Sequence, residues 1–393
     1  MTFDLNDPLL LWRDDVLSDP RPLYDVLRRD APVWQLPGHQ TYLVSDPALI
    51  REAVGRTEEL SSNLVSVLMR GEDGRPATFD MGVLGDASHV LATADAPIHT
   101  RQRKLLQPHF SPAALASLEP VLYDIVDDLV AQIVAAGAGD AVADLSNPVP
   151  ALTICRIVGV APTHAPFIME RVTAIGPLMD GVADLEGIAA AGTAALELME
   201  FIGRQLDATA GDQVGLLSVL SAALDAREAC NLLMLLFNAG TETTSSLIAN
   251  MIETLARDPE LQTELRRAPE RIPAALERLL RDDGPFQFHY RWSTTDLELG
   301  GTAIPAQSRV MLMWAAGNRP SPADEADVLS THLAFGRGLH FCIGAPLARL
   351  EARIAIERML AKTSAIRLNP DTPPERPRSI FLRRHARLHL LVE

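Results

Sequence analysis

The stretch from Phe335 to Arg349, FGRGLHFCIGAPLAR, constrains this chain more than any other. It sets one cysteine, Cys342, between Gly338 and Gly344 in a glycine-rich loop that runs directly into a helical pattern. Glycine permits backbone conformations that other residues avoid, and it lets a flat partner approach the main chain closely. A thiolate at a helix N-terminus is stabilised by free N–H groups and by the helix dipole. The loop therefore suits a metal ligand, although a buried free cysteine or a redox thiol would also explain Cys342 taken alone.

The neighbours of this cysteine resemble a known motif. The segment is similar to the haem-binding loop of the cytochrome P450 family, in which the cysteine thiolate is the proximal ligand of the iron. The matching positions are Phe335, Gly338, His340, Cys342, Gly344 and Arg349. The resemblance runs from about Asp14 to the C-terminus and implies a mainly α-helical fold with small β-sheets, in which haem b lies between a long central helix and the cysteine loop. It also implies that residues 1–393 are a single cytochrome P450 domain without a fused reductase module.

Composition and charge argue against several other classes of protein. A chain of 393 residues with 47% hydrophobic residues can form one large core. The formal net charge of −16 disfavours nucleic acid or an anionic membrane surface as a partner, because a phosphate-binding face must be basic. The widely spaced Cys155, Cys230 and Cys342 form neither a disulfide framework nor a zinc pattern. Because the N-terminus lacks a basic leader and no uncharged segment is long enough to cross a bilayer, we expect a soluble, cytoplasmic protein.

The hydrophobic pattern predicts the order of helices and strands. A helix over PRPLYDVLRRD precedes a small hairpin of APVWQL and TYLVSD, and residues 60–95 form a long irregular segment. Residues 113–224 are predominantly helical, and the longest helix covers about 227–257. A further helix over PERIPAALERLLRDDG gives way to the strand-like FQFHYRW, DLELGGTAI and RVMLMW.

A basic segment, ADAPIHTRQRKLLQPHF, is predicted to form a helix with two donor groups on one face. His99 and Arg103 are four residues apart and therefore neighbours on a helix surface. They could hold a carboxylate together, or the face could simply be solvated. The family resemblance favours the first interpretation, since the family presents such a His and Arg to a haem propionate.

The long helix carries AGTETTSS at its centre. Gly240 and Thr243 are poor helix formers, and a threonine hydroxyl that bonds back to a preceding carbonyl locally opens a helix. The acid–alcohol pair Glu242 and Thr243 could relay protons to a bound oxygen species. Such residues are common in helices, but beside the cysteine loop the segment resembles the family's oxygen-activating segment at Ala239, Gly240, Glu242 and Thr243.

The resemblance also assigns the remaining candidate residues. Arg291 falls where the family places a second propionate-binding arginine, although a cross-strand surface charge is the alternative. The other residues implied to contact the cofactor are His340, Phe335, Gly336, Ala239, Gly240, Gly344 and Ala348. The residues implied to line an apolar substrate pocket are Leu235, Ala239, Phe286 and Phe288.

Two departures from the family pattern occur together. Arg278 stands where the family has a glutamate three residues ahead of Arg281, a pair that forms a buried salt bridge. The segment 318–332 is also shorter than the family's usual meander and lacks the aromatic residue and the arginine expected there. Removing one partner of a buried charge pair costs about 3–5 kcal/mol, which would put haem retention at risk. We therefore expect a rebuilt network in which Glu277 pairs with Arg281 at helical spacing.

The resemblance implies a monooxygenase that inserts one atom of O2 into a small, apolar organic substrate and releases the other as water. Cys342 would donate electron density to the iron, and Thr243 with Glu242 would deliver protons. Electrons would come from a separate ferredoxin and its NAD(P)H-dependent reductase, docked on Arg101–Lys104 and the arginines after Cys342. One alternative is a peroxygenase or isomerase of the same family, which the proton-relay pair disfavours. Another is a non-catalytic haem or ligand-binding protein, for which the altered ion-pair network is the argument.

Overall fold

The computed structural model describes residues 3–84, 89–208, 215–319 and 332–393, and α-helices account for most of its regular structure. These helices are α1 (Asp14–Ser18), α2 (Arg21–Asp30), α3 (Pro47–Gly55), α4 (Ile98–Leu106), α5 (Pro112–Ala136), α6 (Pro148–Val158), α7 (Ala165–Ile175), α8 (Pro177–Asp180), α9 (Leu185–Ala208), α10 (Leu216–Ala223), α11 (Ala226–Arg257), α12 (Pro259–Arg267), α13 (Ile272–Asp283), α14 (Trp314–Gly317) and α15 (Ala345–Lys362). Short 3₁₀ segments and one π-helical turn, Val142–Ser146, join them. The 3₁₀ segments are Leu10–Trp12, Met81–Leu84, Leu91–Thr93, Gln107–Phe110, Pro162–His164, Pro269–Arg271 and Gly338–His340.

The strands form small sheets at the edges of the helical body. They are β1 (Val33–Gln35), β2 (Thr41–Val44), β3 (Leu60–Ser61), β4 (Ser66–Arg70), β5 (Pro76–Asp80), β6 (Ala138–Asp140), β7 (His289–Ser293), β8 (Leu297–Leu299), β9 (Thr302–Ile304), β10 (Arg309–Leu312), β11 (Ile366–Leu368) and β12 (His389–Val392). The largest sheet has the order β1-β2-β10-β7-β3, and its β2–β10 pair is parallel. A second sheet joins β11, β12 and β6, while β4–β5 and β8–β9 are separate antiparallel pairs.

The predicted class, mainly α with small sheets, agrees with this architecture. The predicted N-terminal hairpin is β1–β2, whose central pair is Trp34 with Leu43. The segment 60–95 is less irregular than its sequence indicates, because β4 and β5 pair over their whole length. Residues of β5 are half-buried or exposed, so the strand lacks the apolar alternation that would have identified it.

The central helix α11 organises the core. Its N-cap is Asp225, whose side chain accepts from the N–H of Glu228, and its last residue is Arg257. These bounds agree with the predicted helix over 227–257. The helix packs against α6, α7, α9 and α15, and α15 in turn packs against α5 and α13. The cysteine loop, which immediately precedes α15, is thereby held facing α11.

A bilayer-spanning helix would have to be both long and apolar. No helix among the described residues meets both conditions.

Candidate functional site

A large cavity lies between α11 and the cysteine loop. Its volume is about 1230 Å³, including space open to solvent. Most of the predicted site residues line it together. These are His99, Arg103, Leu235, Ala239, Gly240, Thr243, Phe286, Phe335, His340, Cys342, Gly344 and Ala348.

The cysteine loop needs glycine at two positions. Gly336 and Gly338 have φ angles of 68° and 72°, in the left-handed region that other residues rarely adopt. A Cβ atom on Gly338 would also lie 2.6 Å from Val54 Cγ1. The N–H of Cys342 donates to the carbonyl of Phe335 across 2.9 Å, which closes the loop.

Cys342 is half-buried and its side chain faces the cavity. Burial raises the pKa of the Cys342 thiol, whereas the N–H groups of Gly344 and Ala345 and the charges of Arg103 and Arg349 act in the opposite direction. The N–H groups at the start of α15 thus act in favour of the thiolate, but burial outweighs them and the pKa of the thiol stays above its ordinary value. A metal ion bound to the sulfur would deprotonate it outright.

Buried donors without partners lie at one edge of the cavity. His99 is 1% exposed, and neither of its ring nitrogens has a hydrogen-bond partner among the described residues. Its ring centroid is 4.4 Å from that of His340, whose Nε2 contacts Ser62 Oγ at 2.9 Å while Nδ1 has no partner. Buried polar groups are normally satisfied. An anionic group at this edge, such as a haem propionate, would satisfy them.

Two arginines adjoin the same edge. Arg291 is 5% exposed, donates from Nη1 to the carbonyl of Tyr290, and has its pKa lowered to about 10 by burial. Arg291 does not line the cavity. Burial lowers the pKa of His340 to about 3, and the nearby positive charge of Arg291 acts in the same direction. Arg103 Nη1 donates to the carbonyl of Phe341 at 2.9 Å, so it joins α4 to the cysteine loop. The predicted residues therefore fit a haem with its propionates at this edge.

The centre of α11 has several hydroxyl groups bonded back to the helix. Thr243 Oγ1 donates to the carbonyl of Ala239 at 2.7 Å, Thr241 Oγ1 to that of Phe237 at 2.6 Å, and Ser246 Oγ to that of Glu242 at 2.7 Å. The helix nevertheless continues through this stretch. The expected opened turn is therefore not formed. The room beside the helix comes instead from the absence of a side chain at Gly240 and from the Thr243 hydroxyl, which is bonded back to the helix.

Glu242 faces a buried ion cluster beside the cavity. Its Oε1 lies 3.1 Å from Arg384 Nε, and Arg384 binds both carboxylate oxygens of Asp180 at 2.8 and 2.6 Å. Burial raises the pKa of Glu242 to about 7, against the opposing charge of Arg384. A Cβ on Gly176 would lie 2.9 Å from Glu242 Oε1, so the junction between α7 and α8 lies close against α11 here. Neither Asp180 nor Arg384 was identified from sequence, because no local pattern links residues so far apart.

Glu242, Phe288 and Gly336 do not line the cavity. Phe288 is fully buried and packs edge-on against Tyr290 and Phe381, at centroid distances of 5.0 and 5.4 Å. The prediction that it lies beside Phe286 in the pocket is therefore not supported by its position. Residues 286–288 precede β7, so the alternation of a regular strand does not apply to them.

The predicted Glu277–Arg281 ion pair is wrong. Glu277 instead binds Arg349 at 2.6 and 2.9 Å and His332 at 2.9 Å, while Arg281 pairs with its neighbour Asp282 at 2.7 Å. Burial opposes ionisation, but the hydrogen bonds from His332 and Arg349 lower the pKa of Glu277 to about 2. Glu277 pairs with α15 and the loop before it, so the expected rebuilt network exists with different partners.

The two departures from the family pattern lie only partly within the described residues. Arg278, which replaces the family's glutamate, is exposed. Residues 320–331, most of the shortened meander segment, lie outside the described residues. His332 is described, and its side chain is 4% exposed.

Glu351 is a cavity residue that the sequence reasoning missed. It lies on α15 and is 1% exposed, and in the part of the chain that the structure describes neither carboxylate oxygen has a hydrogen-bond partner. Burial raises its pKa to about 8, so it is mainly protonated at neutral pH. The available signal was an acid at helical spacing between the apolar Leu347 and Ala355.

Several arginines of the expected docking face are engaged within the protein. Arg101 pairs with Glu228, Arg353 with Glu119 and Glu357, and Arg358 with Asp127. The basic residues Lys104 and Arg337 are exposed beside the loop. Exposed apolar side chains accompany them, since Leu339 and Phe341 are each 41% exposed.

A cysteine that faces a large cavity beneath a long helix, with buried histidine and arginine donors at the edge, defines the class of haem-thiolate proteins. Comparison with known proteins agrees. Cytochrome P450 144 of Mycobacterium tuberculosis is 34% identical over 391 residues, covering 96% of this chain and 90% of that protein. The cytochrome P450 monooxygenase PikC of Streptomyces venezuelae is 30% identical, covering 90% and 86%. The vitamin D(3) 25-hydroxylase of Pseudonocardia autotrophica is 33% identical, covering 88% and 86%.

Solved structures give the same result. The crystal structure of CalO2 matches with a TM-score of 0.83 and 25% identity, covering 100% of this chain and 99% of that one. CYP109E1 from Bacillus megaterium in complex with testosterone matches with a TM-score of 0.83 and 26% identity, covering 96% and 99%. No protein-family model matches the chain. The chain belongs to the cytochrome P450 family: it has the P450 fold, is a P450 monooxygenase, and takes haem b as its cofactor.

Proposed function

We propose that this monooxygenase oxidises a small, apolar organic substrate with O2, using electrons from a separate ferredoxin and an NAD(P)H-dependent ferredoxin reductase. The observation that carries the proposal is one cavity lined by Cys342 of the loop, Thr243 of α11 and apolar side chains. Haem, when bound, supplies the activation of O2, and the protein supplies position, protons and exclusion of water.

Each group of residues has a separate task in this proposal. Cys342 binds the haem iron, and the propionates are held by His99, Arg103, Arg291 and His340. This assignment is supported by the unpartnered ring nitrogens of His99 and by the burial of Arg291. An anion at this edge would convert buried donors without partners into charge-assisted hydrogen bonds.

Thr243 and Glu242 move protons. With a pKa raised to about 7, Glu242 can both hold and release a proton near neutral pH, which suits a general acid. The Thr243 hydroxyl donates to Ala239 and keeps its lone pairs available as acceptors toward the cavity. We infer that Glu242, which lies behind the cavity at Arg384, stores the proton, and that Thr243, which lines the cavity, is the group beside which it is delivered.

An apolar substrate is supported by the lining of the cavity on the α11 side. Leu235, Ala239 and Phe286 contribute apolar surface there. A relative named vitamin D(3) 25-hydroxylase and a structural neighbour solved with testosterone are consistent with this class of ligand.

We propose that ferredoxin docks beside the cysteine loop. The surface there combines the exposed Leu339 and Phe341 with the cationic Lys104 and Arg337. Apolar and basic groups together suit an acidic electron-transfer partner. We further propose that residues 1–393 act as one domain in the cytoplasm, which is consistent with the free thiols of its cysteines.

The proposed proton role is tested by replacing Thr243 with alanine. The purified protein is supplied with a surrogate ferredoxin and reductase, and with a compound chosen because it shifts the haem absorption spectrum. We expect Thr243→Ala to lower product formation by about 100-fold, since proton transfer from a positioned group typically contributes that much. Product and NAD(P)H consumption are measured together.

The matched control is Thr254→Ala. Thr254 lies on the same helix and makes the same back bond, to the carbonyl of Asn250 at 2.8 Å. This control is expected to leave turnover unchanged. Equal product formation and equal coupling to NAD(P)H in wild type and Thr243→Ala would contradict the proton role.

A further inference from the structure

Glu277 of α13 is bound on two sides by residues near the cysteine loop. Its carboxylate accepts two parallel hydrogen bonds from Arg349, with Nε to Oε1 at 2.6 Å and Nη2 to Oε2 at 2.9 Å. Oε2 also lies 2.9 Å from His332 Nε2. A bidentate charge-assisted pair of this kind fixes orientation as well as adding energy.

His332 uses both ring nitrogens. Its Nδ1 accepts from the N–H of Ala334 at 3.2 Å, so a neutral ring carries its proton on Nε2 and donates it to Glu277. The side chain is 4% exposed. His332 thus joins the backbone just before the cysteine loop to the carboxylate on α13.

Arg349 continues the contacts toward Cys342. Its Cζ lies 4.3 Å from the centroid of the Phe335 ring, a cation–π distance. The carbonyl of Phe335 accepts from the N–H of Cys342 at 2.9 Å. An unbroken series of contacts therefore runs from Glu277 through Arg349 and Phe335 to the backbone of Cys342.

The same residues set the charge near the sulfur. The positively charged guanidinium of Arg349 lies over the ring of Phe335, whose carbonyl accepts from the N–H of Cys342, so its charge stands beside the cysteine loop. Glu277 partly neutralises that guanidinium, since the two groups are in direct contact. Arg281, one helical turn from Glu277, is paired with Asp282 and does not compete for the carboxylate.

We propose that Glu277 and His332 are positioning residues for Cys342. They hold the guanidinium of Arg349 over the ring of Phe335 and partly neutralise the positive charge of Arg349 near the sulfur. Glu277, His332, Phe335 and Arg349 are called the Glu277 cluster below. The cluster takes the bracing role that Arg278 cannot provide, because this exposed arginine replaces the expected acid. The inference rests on the proposed role of Cys342 as the iron ligand.

The cluster makes two separable predictions for the holoprotein. Glu277→Gln leaves the Arg349 charge uncompensated, so the thiolate donates less electron density and the haem reduction potential rises. Loss of the charged hydrogen bonds also loosens the loop, and we expect haem to transfer to an acceptor apoprotein about tenfold faster. Potentiometric titration and haem-transfer kinetics measure the two effects.

Arg349→Lys separates charge from geometry. Lysine keeps the positive charge but loses the planar fork and its stacking on Phe335. We expect faster haem transfer, with a reduction potential close to that of the wild type. His332→Asn is expected to speed haem transfer as well, and these two variants carry the test if Glu277→Gln does not fold. The matched control is Glu264→Gln, which breaks the exposed Glu264–Arg271 pair and should change neither quantity.

Unchanged potential and unchanged haem transfer in Glu277→Gln would overturn the inference. If that variant does not fold, unchanged haem transfer in both Arg349→Lys and His332→Asn would do so. The reduced carbon monoxide complex of the wild type distinguishes this failure from failure of the proposed function. If the wild type shows the red shift typical of a thiolate ligand and the cluster variants leave potential and haem transfer unchanged, only the positioning role is rejected. If the wild type lacks that red shift, the assignment of Cys342 as the iron ligand is rejected, and the positioning role is rejected with it.

Discussion

Replacing Glu242 by glutamine is expected to lower product formation by about 100-fold without changing haem content or the affinity for compounds that shift the haem spectrum. Glutamine keeps the size of the side chain and its contact with Arg384, but it cannot transfer a proton. The measurement is product formed per unit time with the surrogate ferredoxin system, at saturating substrate.

The pH dependence of this rate tests the same role. The pKa of Glu242 is raised to about 7 by burial, so the carboxyl is mainly protonated below pH 7 and mainly ionised above it. A proton donor is active in its protonated form, and the wild-type rate should therefore fall as pH rises through about 7. The rate of the Glu242→Gln variant should not show this fall with rising pH.

Glu228→Gln is the matched control for Glu242. Glu228 is an ion-paired acid in the first turn of the same helix, where it binds Arg101. Its carboxylate accepts from Arg101 and Gln102 of α4 at the start of the helix, about four turns from Thr243, and its replacement should leave both the rate and the pH profile unchanged. A pH profile of Glu242→Gln that coincides with the wild-type profile would rule out Glu242 as the titrating donor.

Replacing Arg291 by methionine is expected to have opposite effects on the protein with and without haem. With haem, the loss of one charge-assisted hydrogen bond to a propionate should raise the rate of haem loss about tenfold or more. Without haem, Arg291 is a buried cation bonded to the carbonyl of Tyr290, and burial already lowers its pKa to about 10. Removing a buried cation that forms no salt bridge with any described residue should stabilise the apoprotein toward unfolding.

Arg309→Met gives the contrasting result. Arg309 lies on the neighbouring strand β10 and is similarly buried, but its donors bind Thr41 Oγ1 and both Ser66 O and Ser66 Oγ. Its loss removes these buried hydrogen bonds, so apoprotein and holoprotein should both be destabilised. Thermal unfolding of both forms measures the difference. Equal destabilisation of the two forms by Arg291→Met would contradict a propionate-binding role.

The parts of the fold that depend on local pattern were predictable from sequence. The helical period predicts α11 nearly to the residue, and the glycines of the cysteine loop occupy φ angles that only glycine tolerates well. The spacing of His99 and Arg103 likewise places both side chains at one cavity. Each of these follows from interactions within a few residues of one another.

The partners of buried charges were not predictable in this way. Glu277 could pair with Arg281 by helical spacing, yet it pairs with Arg349, which is 72 residues away. Glu242 likewise meets Arg384, from the far end of the chain. Packing between elements decides which cation reaches a buried carboxylate, and that information is absent from a single helix pattern.

Ligation of the haem iron by Cys342 is tested most directly by the absorption spectrum of the reduced carbon monoxide complex of the purified protein. The wild type should show the red-shifted absorption that is typical of a thiolate ligand, and Cys342→Ser should bind haem without that shift. A folded, haem-loaded wild type that lacks the red shift, or a Cys342→Ser protein that retains it, would contradict the assignment of Cys342.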